Sequence, residues 1–154
     1  MKRVSECEIR DLGADQIDLA VDLLARFFAE EGFTGTPTTI STNTRLMLED
    51  PYHWIGLAWV DGIAVGVVTV TTMLYVEWGR LGEIGDLYVL PEARRNGIGA
   101  ALIDAAKGKC RDFDCSAVSV VITPEGEARH GLTRFYERFG FVGSGRSIVT
   151  HVLT

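Results

Sequence analysis

From Leu87 to Ala100 the chain reads Leu-Tyr-Val-Leu-Pro-Glu-Ala-Arg-Arg-Asn-Gly-Ile-Gly-Ala. Arg94, Arg95, Asn96, Gly97, Ile98 and Gly99 form a short basic, glycine-rich turn between a β-rich run that Pro91 ends and a helical pattern over Ile98 to Cys110. The start of a helix offers unpaired backbone N–H groups and the positive end of the helix dipole. Gly97 and Gly99 carry no side chain to keep an anion away, and Arg94 and Arg95 add charge. That combination is the chemistry of a phosphate cradle. It is not a Walker loop, because no Gly-Lys-Ser/Thr follows, and not a dinucleotide fingerprint, because position 102 is leucine. Taken alone, two glycines that merely relieve a tight turn account for the spacing equally well.

The elements that must position this turn follow from periodicity. Glu6 to Leu12 reads as a first strand. Ile17, Ala20, Val21, Leu24, Phe27 and Phe28 make an apolar stripe at helical spacing, with Gly32 as its stop. A short second helix fits Thr38 to Leu48, ended by Asp50-Pro51. Two β-rich runs flank Asp61-Gly62, a dipeptide that tolerates positive φ at both turn positions, and so predict a hairpin. Strands are expected over Gly82 to Leu90 and over Ala117 to Thr123, and a helix over Glu127 to Gly140. The segment Phe141 to Thr154 reads as a returning strand, broken near Gly143 and Gly145. The order β-α-α-β-β-β-α-β-α-β predicts a mixed α/β sheet, antiparallel early and parallel around the glycine turn. No repeat, low-complexity tract or linker divides the 154 residues, so one domain over 1–154 is the simplest account.

Composition narrows the partners. Twenty-one acidic residues against 15 basic ones give a net charge of −6, which argues against a general nucleic-acid binder and is permissive for a cationic small molecule. Cys7, Cys110 and Cys115 have no metal-type spacing and read as ordinary thiols in a reducing compartment. No signal-peptide core or membrane-length apolar run is present, so the expectation is a soluble cytoplasmic protein with no membrane partner and no metal.

The stretch Leu87 to Ala106 resembles the acetyl-CoA signature of the GNAT superfamily of N-acetyltransferases, Arg/Gln-x-x-Gly-x-Gly/Ala between a strand and a helix, with Arg94, Gly97 and Gly99 filling the pattern. Arg134 to Phe141 resembles that family's C-terminal Phe-Tyr-x-x-x-Gly-Phe element. The two lie in the family's order, and the element order matches along nearly the whole chain. The resemblance implies a central, mostly antiparallel sheet with one splayed parallel strand pair, flanked by helices.

It also implies an enzyme with acetyl-CoA as co-substrate. The pyrophosphate would sit on the amides of Arg95, Asn96, Gly97, Ile98, Gly99 and Ala100, with Arg94 and Arg95 supplying charge or orienting the loop. The backbone of Leu87, Tyr88 and Val89 would pair with the pantetheine arm like an added strand, and an N–H there would polarise the thioester carbonyl. Tyr136 matches the tyrosine read as general acid. Glu83 is the first choice for a base and Asp86 the second; on a regular strand the two point to opposite faces, so at most one should face the thioester. Arg129 stands where the family often has asparagine, and His130 beside it, near the expected helix start, is a further base or substrate contact.

The acceptor site in this fold is usually built from the first helices, the loop before the signature strand, and the C-terminal strands. Here these carry Glu30, Glu31, Glu77 and Glu83, with Trp54, Tyr75 and Trp78 nearby. Carboxylates beside aromatics suit a cationic amine, and the leading acceptor is an aminoglycoside. Polyamine, amino-acid or protein amines are the alternative, with Arg80 and Arg146 favouring a carboxylate-bearing acceptor, and a non-catalytic CoA sensor is the alternative of another class. The last strand is a plausible dimer edge.

Overall fold

The computed structural model describes residues 6–33 and 35–154. Two compact units divide the chain, Met1–Val121 and Ile122–Thr154.

The first unit holds a five-stranded sheet in sequence order: β1 (Glu8–Asp11), β2 (Trp54–Val60), β3 (Ile63–Tyr75), β4 (Gly79–Val89) and β5 (Ala117–Val120). The first three pairings are antiparallel and β4 to β5 is parallel, so the mixed sheet read from the sequence is present. Asp61 and Gly62 turn β2 into β3 with φ of 50° and 77°, as the dipeptide requires. Helices α1 (Ile17–Glu30) and α2 (Pro37–Glu49) precede β2, and α3 (Ile98–Asp112) links β4 to β5. Helix α2 starts as helices should: the Thr36 side chain accepts the Thr39 N–H and Pro37 occupies the first turn.

Helices cover both faces of the sheet. Phe27 of α1 lies 5.6 Å from the Tyr88 ring of β4. On the other face a Cβ at Gly66 would meet Leu102 of α3, and one at Gly82 would collide with the Cys110 sulfur. Leu57, Val67, Val68, Val70, Leu102 and Ile103 are fully buried between these layers. Each contributes about 1.5–3 kcal/mol of burial, enough to hold β3 and β4 rigidly under whatever they carry. No helix among the described residues is long and apolar enough to cross a membrane.

The second unit departs from the sequence reading twice. The helix expected over Glu127 to Gly140 is two helices, α4 (Pro124–His130) and α5 (Leu132–Glu137). Gly131 separates them in the left-handed conformation, φ 58°, which ends α4 and starts α5. His130 therefore closes α4 and directly precedes Gly131, which starts α5. The returning strand over Phe141 to Thr154 is also absent: the segment contains no strand. Val149 and Leu153 are 94% and 89% exposed. β-branched residues become a strand only on a partner edge, and among the described residues this segment pairs with none. The dimer edge expected there is thus not a strand.

Candidate active site

The chemistry-bearing part of the first unit is β4. Its register against β3 pairs Glu83 with Thr71, Ile84 with Val70, and then Asp86 with Thr69, so Gly85 is an extra, unpaired residue. A bulge of this kind resets the alternation of side chains. Glu83 and Asp86, three apart in sequence, sit opposite threonines two apart, and so project from the same face. The expectation that they face opposite ways is corrected by this one residue. Tyr88, two beyond Asp86, shares that face, which is the α1 side. Ser119 of β5 stands opposite Glu83 from the other neighbour. The Thr69 hydroxyl donates to Asp86 at 2.6 Å.

Both carboxyls are held above their ordinary range. Burial raises Glu83, and the nearby Asp86 charge raises it further. Burial raises Asp86 too, partly offset by the Thr69 hydrogen bond. A carboxyl so placed releases its proton less readily and accepts one more readily, which suits a base. Thr69, Thr71 and Ser119 were not singled out from sequence. The signal for them was Gly85, a glycine inside a strand pattern, which marks a bulge and so a changed face.

The last third of β4 forms an open edge. Its parallel pairing with β5 ends at Ile84–Val120, while β4 runs on to Val89. The Leu90 N–H bonds to Val65 of β3 at 2.8 Å. By alternation, the N–H and C=O groups of Leu87 and Val89 point the other way, toward the open edge. That is the splayed pair expected from the resemblance.

The turn follows directly. Arg95 and Gly97 are left-handed, with φ of 66° and 77°. The Asn96 side-chain amide donates to the Ala93 and Arg94 carbonyls at 3.2 and 3.3 Å, bracing the loop from within. Helix α3 begins at Gly97 with no side-chain cap and no acidic residue in its first turn. The amides of Ile98, Gly99 and Ala100 thus open the helix with its positive dipole end unneutralised. A Cβ at Gly97 would meet nothing within 4 Å, so the space above the turn is open. These features fit the pyrophosphate of a coenzyme.

Arg94 links the turn to the end of β4 and the end of α1. Its Nε donates to the Val89 carbonyl at 2.9 Å and its Nη2 to Glu30 Oε2 at 3.0 Å. Glu30 Oε1 accepts the Tyr88 hydroxyl at 2.7 Å. Burial first, then this carboxylate, push the Tyr88 phenol up to about 12. Glu31 caps the C-terminal end of α1 and is half-buried. Thr34, within the expected acceptor segment, lies outside the described residues. The Tyr75 and Trp78 rings lie 5.5 Å apart, tilted by 54°, at the β3–β4 hairpin end, with Glu77 in the turn between the strands. Trp54 is not with them: it is buried, and its indole N–H donates to Asp11 at 2.6 Å. Arg80 lies 4.0 Å from the Tyr52 ring centroid and donates to the Thr72 hydroxyl, whose residue pairs with Gly82 on the α3 side. It is therefore turned away from the Glu83 face, which removes the case for it as a contact to an acceptor carboxylate.

In the second unit, Tyr136 is buried on α5, with its ring 5.1 Å from Phe135 and 5.4 Å from Phe141. Burial pushes its hydroxyl up to about 12, so it keeps its proton at neutral pH. Arg129 and His130 end α4, where cations face the negative end of the helix dipole. Arg146 lies in the segment that has no strand. Among the described residues, no group of three His, Cys, Asp or Glu side chains is arranged to hold a metal ion.

Comparison with known proteins fits this geometry. The model of the acetyltransferase (GNAT) family matches residues 18–141, from α1 through Phe141. The chain belongs to the GNAT acetyltransferase family. It is an N-acetyltransferase by family and by fold. No curated protein sequence matches it. Among solved structures, it is similar to the integron cassette protein HFX_CASS3 from the mobile metagenome of Cole Harbour Salt Marsh, 27% identical, covering 95% of this chain and 90% of that one, TM-score 0.81. The aminoglycoside N-acetyltransferase AAC(6')-Iy in complex with CoA has the same fold at 18% identity, covering 99% and 98%, TM-score 0.83. The same protein with the bisubstrate analogue CoA-S-monomethyl-acetylneamine covers 97% of this acetyltransferase and 100% of that chain, also at 18% identity and TM-score 0.83. A Clostridium acetobutylicum chain described as an acetyltransferase and solved with acetyl-CoA shares the fold at 16% identity, covering 95% and 96%, TM-score 0.78.

Proposed function

We propose that residues 1–154 act as one domain that moves an acetyl group from acetyl-CoA to a primary amine of a small cationic acceptor, by direct attack in a ternary complex. An aminoglycoside is the most concrete acceptor. The observation that carries this reading is the two-carboxyl face that the Gly85 bulge builds on β4, next to the strand's open edge. The bisubstrate complex of AAC(6')-Iy, which joins CoA to an acetylated aminoglycoside fragment on this fold, supports the acceptor class.

In this reading Arg95 through Ala100 hold the pyrophosphate on their amides, and the Leu87 and Val89 edge takes the pantetheine arm as an added strand. Acetyl-CoA, when bound, supplies the activated thioester. The acceptor enters as an ammonium, and Glu83 takes its proton so that the nitrogen can attack. Asp86 holds Glu83 basic and adds negative charge that draws the cation in. Glu31, Tyr75 and Trp78 border the acceptor's approach. Val89 N–H polarises the carbonyl, Tyr136 gives its proton to the departing sulfur as the C–S bond breaks, and the second proton lost from the acceptor nitrogen restores the Tyr136 hydroxyl.

Asp86→Asn tests the tuning. Asparagine keeps an acceptor for the Thr69 hydroxyl but removes the charge beside Glu83. The acid limb of the kcat/KM profile is then expected to move to lower pH; an unmoved limb would show that Asp86 does not tune the base. Stability carries the same sign. Both carboxyls bind protons more tightly folded than unfolded, so stability falls as pH rises from the ordinary carboxylate range through their raised values. Asp86→Asn is expected to flatten that fall in denaturant titrations.

The acceptor class is tested by mass spectrometry of products from a panel of aminoglycosides, polyamines, amino acids and short peptides. A one-acetyl gain on aminoglycosides supports the reading. Acetylation confined to another amine keeps the transferase and discards the acceptor. Coenzyme binding without acetylation of any amine favours the sensor reading.

A further inference from the structure

Glu30 drew attention in the sequence as a carboxylate for a cationic acceptor. Its surroundings assign it other work. One carboxylate oxygen accepts the Tyr88 hydroxyl at 2.7 Å and the other accepts Arg94 Nη2 at 3.0 Å. Arg94 then reaches back through Nε to the Val89 carbonyl at 2.9 Å, and its guanidinium lies 5.5 Å from the Tyr88 ring centroid. Three separate pieces of chain meet here: the last residue of α1, the last two residues of β4, and the first arginine of the glycine turn.

The geometry of Arg94 explains why a partner is needed. Its Nε occupies the carbonyl of Val89, whose own N–H points to the open edge. An arginine side chain has many rotamers, and this contact by itself leaves the guanidinium free to swing. A second charge-assisted bond, from Glu30, fixes the plane of the fork. The pair is only half-exposed at each end, with side-chain exposures of 43% for Arg94 and 39% for Glu30. Ion pairs this wet contribute little to global stability. Holding α1 onto the sheet does not need it either, since Phe27 already packs on Tyr88. What the pair does fix is the direction of the strand end and of the turn that follows.

We propose that Glu30 is a positioning residue for the coenzyme side of the site: through Arg94 and Tyr88 it sets the Val89 edge and the glycine turn in register for a pantetheine-pyrophosphate ligand. This rests on the proposed coenzyme role of the turn. Because the link starts at the end of α1, it also ties the helix that borders the acceptor to the loop that would hold the coenzyme.

The test uses Glu30→Gln, Arg94→Lys and the double variant, with calorimetric affinity for CoA as the first readout and steady-state kinetics as the second. Glu30→Gln is expected to weaken CoA binding and raise the acetyl-CoA KM about 10-fold, the effect of losing one charge-assisted hydrogen bond, while kcat at saturation changes little. The double variant is expected to be no weaker than Arg94→Lys alone, because both substitutions break one link. The thermal midpoint of the ligand-free protein should stay near wild type. Three results overturn the proposal: a raised acceptor KM with unchanged CoA affinity, which returns Glu30 to the acceptor site; a lowered midpoint with unchanged CoA affinity, which makes it merely structural; and additive losses in the double variant. Wild-type protein that binds no CoA overturns the parent reading and this one with it. Wild-type protein that binds CoA, with unaltered affinity in the variants, overturns this proposal alone.

Discussion

Glu83→Gln should lower kcat with the preferred amine by about 100-fold near neutral pH while leaving affinity for CoA within twofold, the signature of a lost general base rather than a lost binding contact. The side chain keeps its size and one acceptor oxygen, so the fold should hold. Glu83 sits mid-strand between Thr71 and Ser119, with well-paired strands on both sides. The remaining activity should lose the acid limb that titration of Glu83 is expected to give the wild-type profile. Burial first, and then the Asp86 charge, move that limb upward from the ordinary carboxylate position. A variant with wild-type kcat and an unchanged pH profile would exclude Glu83 as the base. Asp86→Asn is the matched control. If it abolished turnover while Glu83→Gln did not, the base would be the second carboxyl of the pair.

Tyr136→Phe carries the second large effect. Removing the hydroxyl should reduce kcat by about 100-fold with little change in either KM, because the proton it holds is needed only as the sulfur leaves. The ring should stay in place. Its contacts are aromatic, with Phe135 at 5.1 Å and Phe141 at 5.4 Å, and phenylalanine keeps them. The hydroxyl is held at about 12 by burial. No alkaline fall in rate from this group is therefore expected across the ordinary assay range. Phenylalanine at 136 with undiminished kcat would remove the acid role, and would fit a chain in which water protonates the thiolate.

Much of the framework was legible in the sequence because it rests on local patterns. The α1 stripe, the Asp61-Gly62 hairpin and the Arg94-Gly97-Gly99 turn each announce themselves within a dozen residues. The residues that escaped depend on non-local geometry. Gly85, a glycine inside a strand pattern, hints at a bulge, but only the register, in which it has no partner on β3, puts Glu83 and Asp86 on one face. Glu30 and Arg94 are 64 residues apart, and no spacing rule links them. Trp54 looked like an aromatic near the acceptor, yet its N–H is satisfied by Asp11, 43 residues away. At the C-terminal end the error ran the other way. Val149, Val152 and their neighbours have strand propensity, but propensity without a partner edge leaves them exposed. Gly131 was visible throughout; what the sequence did not reveal was its left-handed φ of 58°, which splits one helical pattern in two.

The most direct test of the central claim is thiol release from acetyl-CoA by the purified protein, followed with and without an aminoglycoside. The account predicts slow release without acceptor and a large, saturable increase with it, reduced about 100-fold in Glu83→Gln. Release that is independent of every amine offered, or none at all from protein that binds CoA, would contradict it.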